Sequence, residues 1–261
     1  MLLDISGRHA LVGGGSQGIG HAAALELARL GAAVTVIGRD AERLAATLAA
    51  LHAISPAAHG VLQADYADRV ALEHIVSDCM AARPVHILIN NTGGPPPGPI
   101  ALASEAQFLD TFGQHLLCNQ LLTRLCLPGM RAAGYGRIIN VISTSVKEPI
   151  KGLGVSNTIR GAVASWAKTL ATELAPEGIT VNNVLPGYTR TARLDGLIAG
   201  KVQQSGASAE EVARGMAAGV PMGRFADPVE VAAAIAFLAA PAASYITGIS
   251  VPVDGGRTLA L

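Results

Sequence analysis

The stretch Val12-Gly13-Gly14-Gly15-Ser16-Gln17-Gly18-Ile19-Gly20 constrains the fold more than any other segment, because of what flanks it. An apolar run, His9-Ala10-Leu11-Val12, enters it. An apolar helical pattern carrying Ala22, Ala23, Leu25, Leu27, Ala28 and Leu30 leaves it. A glycine turn between a buried strand and a helix N-terminus exposes backbone N–H groups with the positive end of the helix dipole behind them, which makes a seat for a pyrophosphate. Glycine-rich strings also mark ordinary turns. The strand–turn–helix setting gives this one the context of a dinucleotide fingerprint.

Short apolar segments alternate with longer helical patterns along the rest of the chain, the signature of a parallel sheet made of βαβ units. Strands are expected near 8–13, 33–38, 58–64, 86–91, 136–142, 179–184 and 247–253. Helices are expected near 18–30, 41–52, 68–82, 104–133 (broken), 155–175 and 228–239. The expected architecture is a single α/β domain over 1–261, a Rossmann fold whose seven-stranded parallel sheet carries helices on both faces. The stretch 190–220 departs from the alternation: it is polar and interrupted by Gly196, Gly200, Gly206, Gly215 and Gly219. It follows a strand on the side where open α/β sheets bind ligands. It reads as a mobile substrate lid or as a plain helical excursion over the surface.

Half of the 261 residues are apolar, 15% are charged and the formal net charge is zero. Such a chain is not disordered, and it offers no electrostatic reason to expect a nucleic-acid partner. With one Trp, four Tyr and four Phe, the core must be built from Ala, Leu, Val and Ile. No apolar run approaches the ~20 residues of a membrane span, so no membrane partner is expected. Asp4 and Arg8 precede any hydrophobic stretch of signal-peptide length, so a cytoplasmic address is expected. Cys79, Cys118 and Cys126 are too few and too scattered for a disulfide framework or a metal knuckle, and no metal site is expected.

Five segments, in order and at matching separations, resemble the short-chain dehydrogenase/reductase family over nearly the whole chain. They are Gly14-x-x-x-Gly18-Ile19-Gly20, Asn90-Asn91-Thr92-Gly93, Gly136 to Ser143, Val181 to Gly187, and the tail from Gly223-Arg224-Phe225 to Asp254-Gly255-Gly256. Within the family the chain is similar to the 3-oxoacyl-carrier-protein-reductase-like subgroup. The resemblance implies that Gly14, Gly18 and Gly20 let the backbone approach a pyrophosphate, with Ser16 and Ile19 lining the turn. Gly13 stands where the family has a threonine. Asp65 would bond the adenine amino group, or serve only as a turn residue. Asn91 and Gly93 would border the adenosine ribose, and Thr191 would meet the nicotinamide amide.

At the end of the second strand, NAD-preferring proteins carry an acid that takes the ribose 2′-OH. This chain reads Ile37-Gly38-Arg39-Asp40. The planar donors of Arg39 suit a phosphate, so NADP(H) is preferred over NAD(H). Asp40 caps the next helix or serves the 2′-OH.

The family's catalytic tetrad of Asn, Ser, Tyr and Lys is altered. Ser143 occupies the serine position, Ser156 the tyrosine position and Arg160 the lysine position. Counted back from Leu127-Pro128, the asparagine position falls on His115. A tyrosine of pKa ~10 comes within reach of neutrality beside a cation, whereas an aliphatic hydroxyl is a far weaker acid. His115, Lys147 and Tyr188 are the other candidate proton carriers, each with an ordinary packing or solvated role as its alternative. The expectation is therefore an oxidoreductase interconverting a carbonyl and an alcohol on a small molecule with an atypical proton donor. A catalytically weak dinucleotide-binding protein and a lyase or isomerase on the same fold are the alternatives. By resemblance, the helices at 104–133 and 155–175 pair between subunits to form a homotetramer or dimer.

Overall fold

In a computed structural model that describes residues 2–260, seven parallel strands form one sheet in the order β3-β2-β1-β4-β5-β6-β7. The strands are β1 (His9–Val12), β2 (Ala33–Gly38), β3 (Gly60–Gln63), β4 (Ile87–Asn90), β5 (Gly136–Val141), β6 (Ile179–Pro186) and β7 (Ser250–Val253). The order reverses between β1 and β4, and at such a switch point two neighbouring loops leave the sheet in opposite directions and open a crevice.

The inner strands are buried on both faces, as a parallel sheet covered by crossover helices requires, while the edge strands β3 and β7 are only partly covered. Alternation along each strand sends Val12, Val36, Ile89, Ile139 and Val184 to one side, against α1 (Gly18–Arg29), α2 (Ala41–Ile54) and α9 (Pro228–Ala239). Leu11, Ile37, Leu88, Ile138 and Val181 go to the other side, against α3 (Arg69–Ala82), α5 (Cys118–Ala133) and α6 (Gly154–Leu174).

The break expected within 104–133 is a single π-helical turn, Gly113–Leu117, between α4 (Glu105–Phe112) and α5. Such a turn inserts a residue into the helical ladder and re-aims the side chains around it. His115 lies inside it. The segment 190–220 is mostly helical, consisting of α7 (Ala192–Ser205) and α8 (Ala209–Ala218), with Gly206 at φ 71° ending α7 in the left-handed region. Among the described residues no helix is long and apolar enough to cross a membrane, and no cluster of His, Cys, Asp or Glu has the makings of a metal site.

A row of buried amides ties four strands together. Asn90 Nδ2 donates to Asn140 Oδ1 at 2.9 Å, Asn140 Nδ2 to Asn183 Oδ1 at 2.9 Å, and Asn183 Nδ2 to Ser250 Oγ at 3.1 Å. These residues face one another in register across β4, β5, β6 and β7. A one-residue slip of any strand would turn its amide to the opposite face, so the row specifies register as well as stability. Asn140→Leu would leave Asn90 Nδ2 and Asn183 Oδ1 buried without partners, at about 1–3 kcal/mol each. Urea denaturation should show a loss of about 2–6 kcal/mol with an unchanged m-value. A loss below about 1 kcal/mol would mean that the row does not hold the strands.

Candidate active site

The glycine turn is wedged between two strand ends. Gly13 N donates to Ile89 O at 2.9 Å and Gly15 N to Ile37 O at 3.1 Å. Gly14 adopts φ 53°, and a Cβ there would lie 2.8 Å from Asn91 O; a Cβ on Gly20 would lie 2.3 Å from Gly14 O. The turn closes to this radius only with glycine at both places. Asn91, expected at a ribose, pins the turn: its Nδ2 donates to Gly13 O at 3.1 Å and Gly14 O at 3.3 Å. The first turn of α1 has no acidic side chain, and its N-cap Gln17 makes no side-chain capping bond. The backbone donors around Gly18, Ile19 and Gly20 therefore keep their capacity for an anion.

Gly13 has a local compensation. The hydroxyl of Tyr66 lies 2.3 Å from where a Gly13 Cβ would be, so the phenol fills the volume of the missing threonine side chain. Tyr66 is buried, its Oη has no hydrogen-bond partner among the described residues, and burial pushes its pKa up. It holds space rather than carrying protons.

Beyond β2 the surface becomes cationic. Arg39 is exposed, with Nη1 at 3.8 Å from Asp65 Oδ2, while Asp65 Oδ1 accepts from Ala67 N at 2.9 Å as a turn residue would. Asp40 caps α2, accepting from Arg43 N at 3.0 Å, and its other oxygen pairs with Arg43 Nε at 3.3 Å. Arg43 also donates to Gln17 at the mouth of the glycine turn. Ser16 packs against Gly38, where a Cβ would sit 3.1 Å from Ser16 Oγ. Arg43 went unnoticed in the sequence, although its place four residues after Arg39, in the first turn of α2, returns it to the same strand end.

Past β5, four of the candidate catalytic residues lie close together. Ser143 caps a short 3₁₀ turn, Thr144–Val146, its Oγ accepting from Ser145 N at 3.1 Å. Ser156 and Arg160 share one face of α6, and Arg160 Nε donates to Ser156 Oγ at 3.3 Å. Arg160 Nη1 donates to the carbonyls of Val141 at 3.2 Å and Ile142 at 2.8 Å, which ties it to the end of β5 beside Ser143. His115 is buried, with Nδ1 hydrogen-bonded to Thr92 Oγ1 at 2.7 Å.

Burial, helped by the Arg160 charge, pulls the His115 pKa down to about 3 against a backbone hydrogen bond at Gly93. With its pKa so lowered, His115 is an uncharged donor–acceptor at neutral pH. Burial, and then the charge of Arg193, lower the Arg160 pKa to about 10, so it stays cationic.

The other two candidates, Lys147 and Tyr188, have their own surroundings. Lys147 ends the 3₁₀ turn after Ser143 and is half-buried. Tyr188 packs edge-on against Phe225 at 5.9 Å with Arg257 over its ring at 4.5 Å, in a stack with the C-terminal segment. Thr191 precedes α7, and its Cγ2 lies 3.1 Å from the Cβ position of Gly18, which places it across the glycine turn. Gly93 has open space on its Cβ side. Arg193, two residues past Thr191, enters the same cleft and was not singled out from the sequence.

The family pattern described as Enoyl-(Acyl carrier protein) reductase matches residues 14–258. The chain is 33% identical to the Short-chain reductase protein NovJ of Streptomyces niveus, covering 95% of this chain and 93% of that protein. It is 31% identical to the NADPH-dependent reductase BacG of Bacillus subtilis, covering 97% and 98%. The crystal structure of L-sorbose reductase from Gluconobacter frateurii, complexed with NADPH and L-sorbose, superposes with a TM-score of 0.93 at 28% identity and full coverage of both chains. A sheet of this order, a glycine turn held by an asparagine from the end of β4, and relatedness along the full length have one explanation: the chain belongs to the short-chain dehydrogenase/reductase family.

Proposed function

We propose that this protein is an NADP(H)-dependent oxidoreductase that interconverts a carbonyl and an alcohol on a small molecule, with an atypical proton donor. The cofactor reading rests on the cationic end of β2. Ser16, Arg39 and Arg43 gather where a ribose 2′-substituent would lie, and of the two acids that follow the strand, Asp40 and Glu42, the nearer, Asp40, is spent on capping α2 and pairing with Arg43. The turn of Gly14, Gly18, Ile19 and Gly20 would hold the pyrophosphate, Asp65 the adenine, Gly93 a ribose, and Thr191 the nicotinamide amide. The NADPH in the names of the related reductases supports the same choice.

In this reading Arg39→Asp weakens NADP(H) roughly ten- to a hundred-fold, the worth of a charge-assisted hydrogen bond of about 1.5–3 kcal/mol, and leaves NAD(H) nearly unchanged. Titrating both cofactors against wild type and variant reads this directly. Equal effects on the two would remove Arg39 from the phosphate.

When bound, the nicotinamide supplies or accepts the hydride. This chain must then orient the substrate oxygen and manage its proton. Ser143 Oγ is the orienting hydroxyl. Arg160 holds a fixed positive charge against the oxyanion that develops there. Ser156 receives the Nε–H of Arg160, and a hydroxyl that accepts a charge-assisted bond is polarised as a donor. We assign the proton step to this Ser156–Arg160 pair. Neutral His115 fixes the loop at Thr92 and Gly93 and does not serve as the acid. The segment 190–220 closes over the substrate from above the sheet.

A serine is a poor acid even so, and catalysis on simple ketones should be slow. Ser156→Tyr combined with Arg160→Lys should raise reduction of activated ketones by roughly 10²–10⁴-fold, the worth of a positioned acid. Nicotinamide absorbance gives the rate, and circular dichroism checks that the added ring is accommodated. If wild type binds NADPH yet neither it nor the variant turns over any ketone, aldehyde or alcohol, the protein is a dinucleotide-binding protein instead.

The same protein is proposed to act as an oligomer. On and beside α4 and the π-helical turn, Leu109, Phe112 and Leu117 are 62%, 36% and 38% exposed, an apolar face that a second subunit would cover. Light scattering at micromolar concentration should give a dimer or tetramer; a monomer would refute this.

A further inference from the structure

The buried charge of the cleft does not balance. Arg160 is only 9% exposed, and its Nε and Nη1 are committed to Ser156 and to the carbonyls of Val141 and Ile142. Its Nη2 is left with no hydrogen bond among the described residues. That nitrogen lies 3.4 Å from the point a Gly94 Cβ would occupy, and Nη2 of Arg193 lies 3.5 Å from the same point. Two guanidiniums thus converge over one glycine, and a side chain at position 94 would crowd the space between them. Arg193 is held there by donating to Pro95 O at 2.9 Å, across the cleft from its own helix.

Among the described residues no carboxylate forms an ion pair with either arginine. His115, packed close by, is uncharged at neutral pH. Arg160 is buried and Arg193 exposed, so their repulsion is felt at the buried member, and the lowered pKa of Arg160 carries the mark of Arg193. A bound anion would remove that cost and use donors that are otherwise idle. A cavity of about 310 Å³ with room for a small organic acid meets the pair at Gly94; neither arginine lines it, His115 and Thr111 do, and its one acidic lining residue is Asp110.

We infer that Arg160 and Arg193 form a two-pronged anion subsite that takes a carboxylate of the substrate, so the protein acts on a carbonyl or hydroxyl compound that also carries an acid group. The planar fork of arginine matches the two oxygens of a carboxylate, which a lysine at position 160 would meet only as a point charge. An anionic group could also reach this point from the cofactor. The seat for the phosphates is built elsewhere, however, on the glycine turn with Thr191 packed across it, and Arg193 points away toward the loop after β4. The assignment to a substrate rests on the proposed oxidoreductase activity; the anion subsite itself does not.

Calorimetric titration of the full chain with malonate, and with neutral malonamide as its isostere, tests the proposal before and after saturation with NADPH. Malonate should bind and malonamide should bind at least tenfold more weakly. Arg193→Gln, on an exposed helix face, should weaken malonate roughly tenfold or more while leaving the NADPH affinity within about twofold. Arg160→Lys should weaken malonate as well, by loss of the fork with the charge retained. Saturating NADPH should leave malonate binding undiminished.

Absence of malonate binding to wild type, or equal binding of malonamide, overturns the subsite. If NADPH displaces malonate and Arg193→Gln weakens both ligands alike, the pair belongs to the cofactor and the substrate assignment falls. Malonate binding in a protein that fails to bind NADPH would sink the proposed oxidoreductase and uphold the anion subsite.

Discussion

The row of amides from Asn90 through Asn140 and Asn183 to Ser250 is the constraint on which the site depends. It lies one layer beneath the carboxyl ends of adjacent strands, and the segments leaving those strands belong to the site or its frame. Asn91 and Thr92 come directly after Asn90. The carbonyls of Val141 and Ile142, which hold Arg160, come directly after Asn140. The Pro186-Gly187 turn that leads to Thr191 and Arg193 lies just beyond Asn183. Each amide is bonded within the sheet, so the strand ends are locked relative to one another to the tolerance of a hydrogen bond. Aliphatic residues of similar volume would fill the same space without fixing which residue faces which.

Above that layer, replacements come in compensating sets. A glycine at position 13 would leave a void behind the cofactor turn; the Tyr66 phenol occupies it at the cost of an unpartnered buried hydroxyl. An arginine at position 160 is longer than the family's lysine, and it is accommodated by reaching past Ser156 to two backbone carbonyls. The bond from Arg160 Nε to Ser156 Oγ couples the two positions directly. The serine and the arginine are therefore one change in two places, and neither is understood singly.

The alternation of apolar strands with helical patterns made the sheet legible, because burial on both faces leaves a continuous apolar run that charged surface helices then interrupt. The cofactor turn was legible for a related reason: glycine spacing reports backbone approach directly. Long-range contacts were not legible. Nothing in the letters places Tyr66 against Gly13, assigns the Asn91 amide to the turn, or brings Arg193 to Arg160 from a different helix. The charge of His115 was not legible either, since burial and a neighbouring guanidinium decide it and both come from the fold. The π-helical turn that aims His115 showed only as a helix too long to be continuous.

The exchange of a phenol–ammonium pair for a hydroxyl–guanidinium pair changes what kind of selectivity the cleft can have. A tyrosine poised by a lysine serves any carbonyl that reaches it, because the acid is strong enough to complete the reaction alone. A serine is not, and the oxyanion must draw more of its stabilisation from fixed positive charge. Fixed buried charge attracts anions, and in the proposed subsite the second guanidinium, exposed on α7, would add to that field for an anion attached to the substrate. Binding energy from an acid group remote from the reacting carbon can then be used to position the carbonyl, in place of the acid strength that the site lacks. Under the proposed function, the same substitution that would weaken general catalysis would thereby narrow the class of molecules for which catalysis remains good.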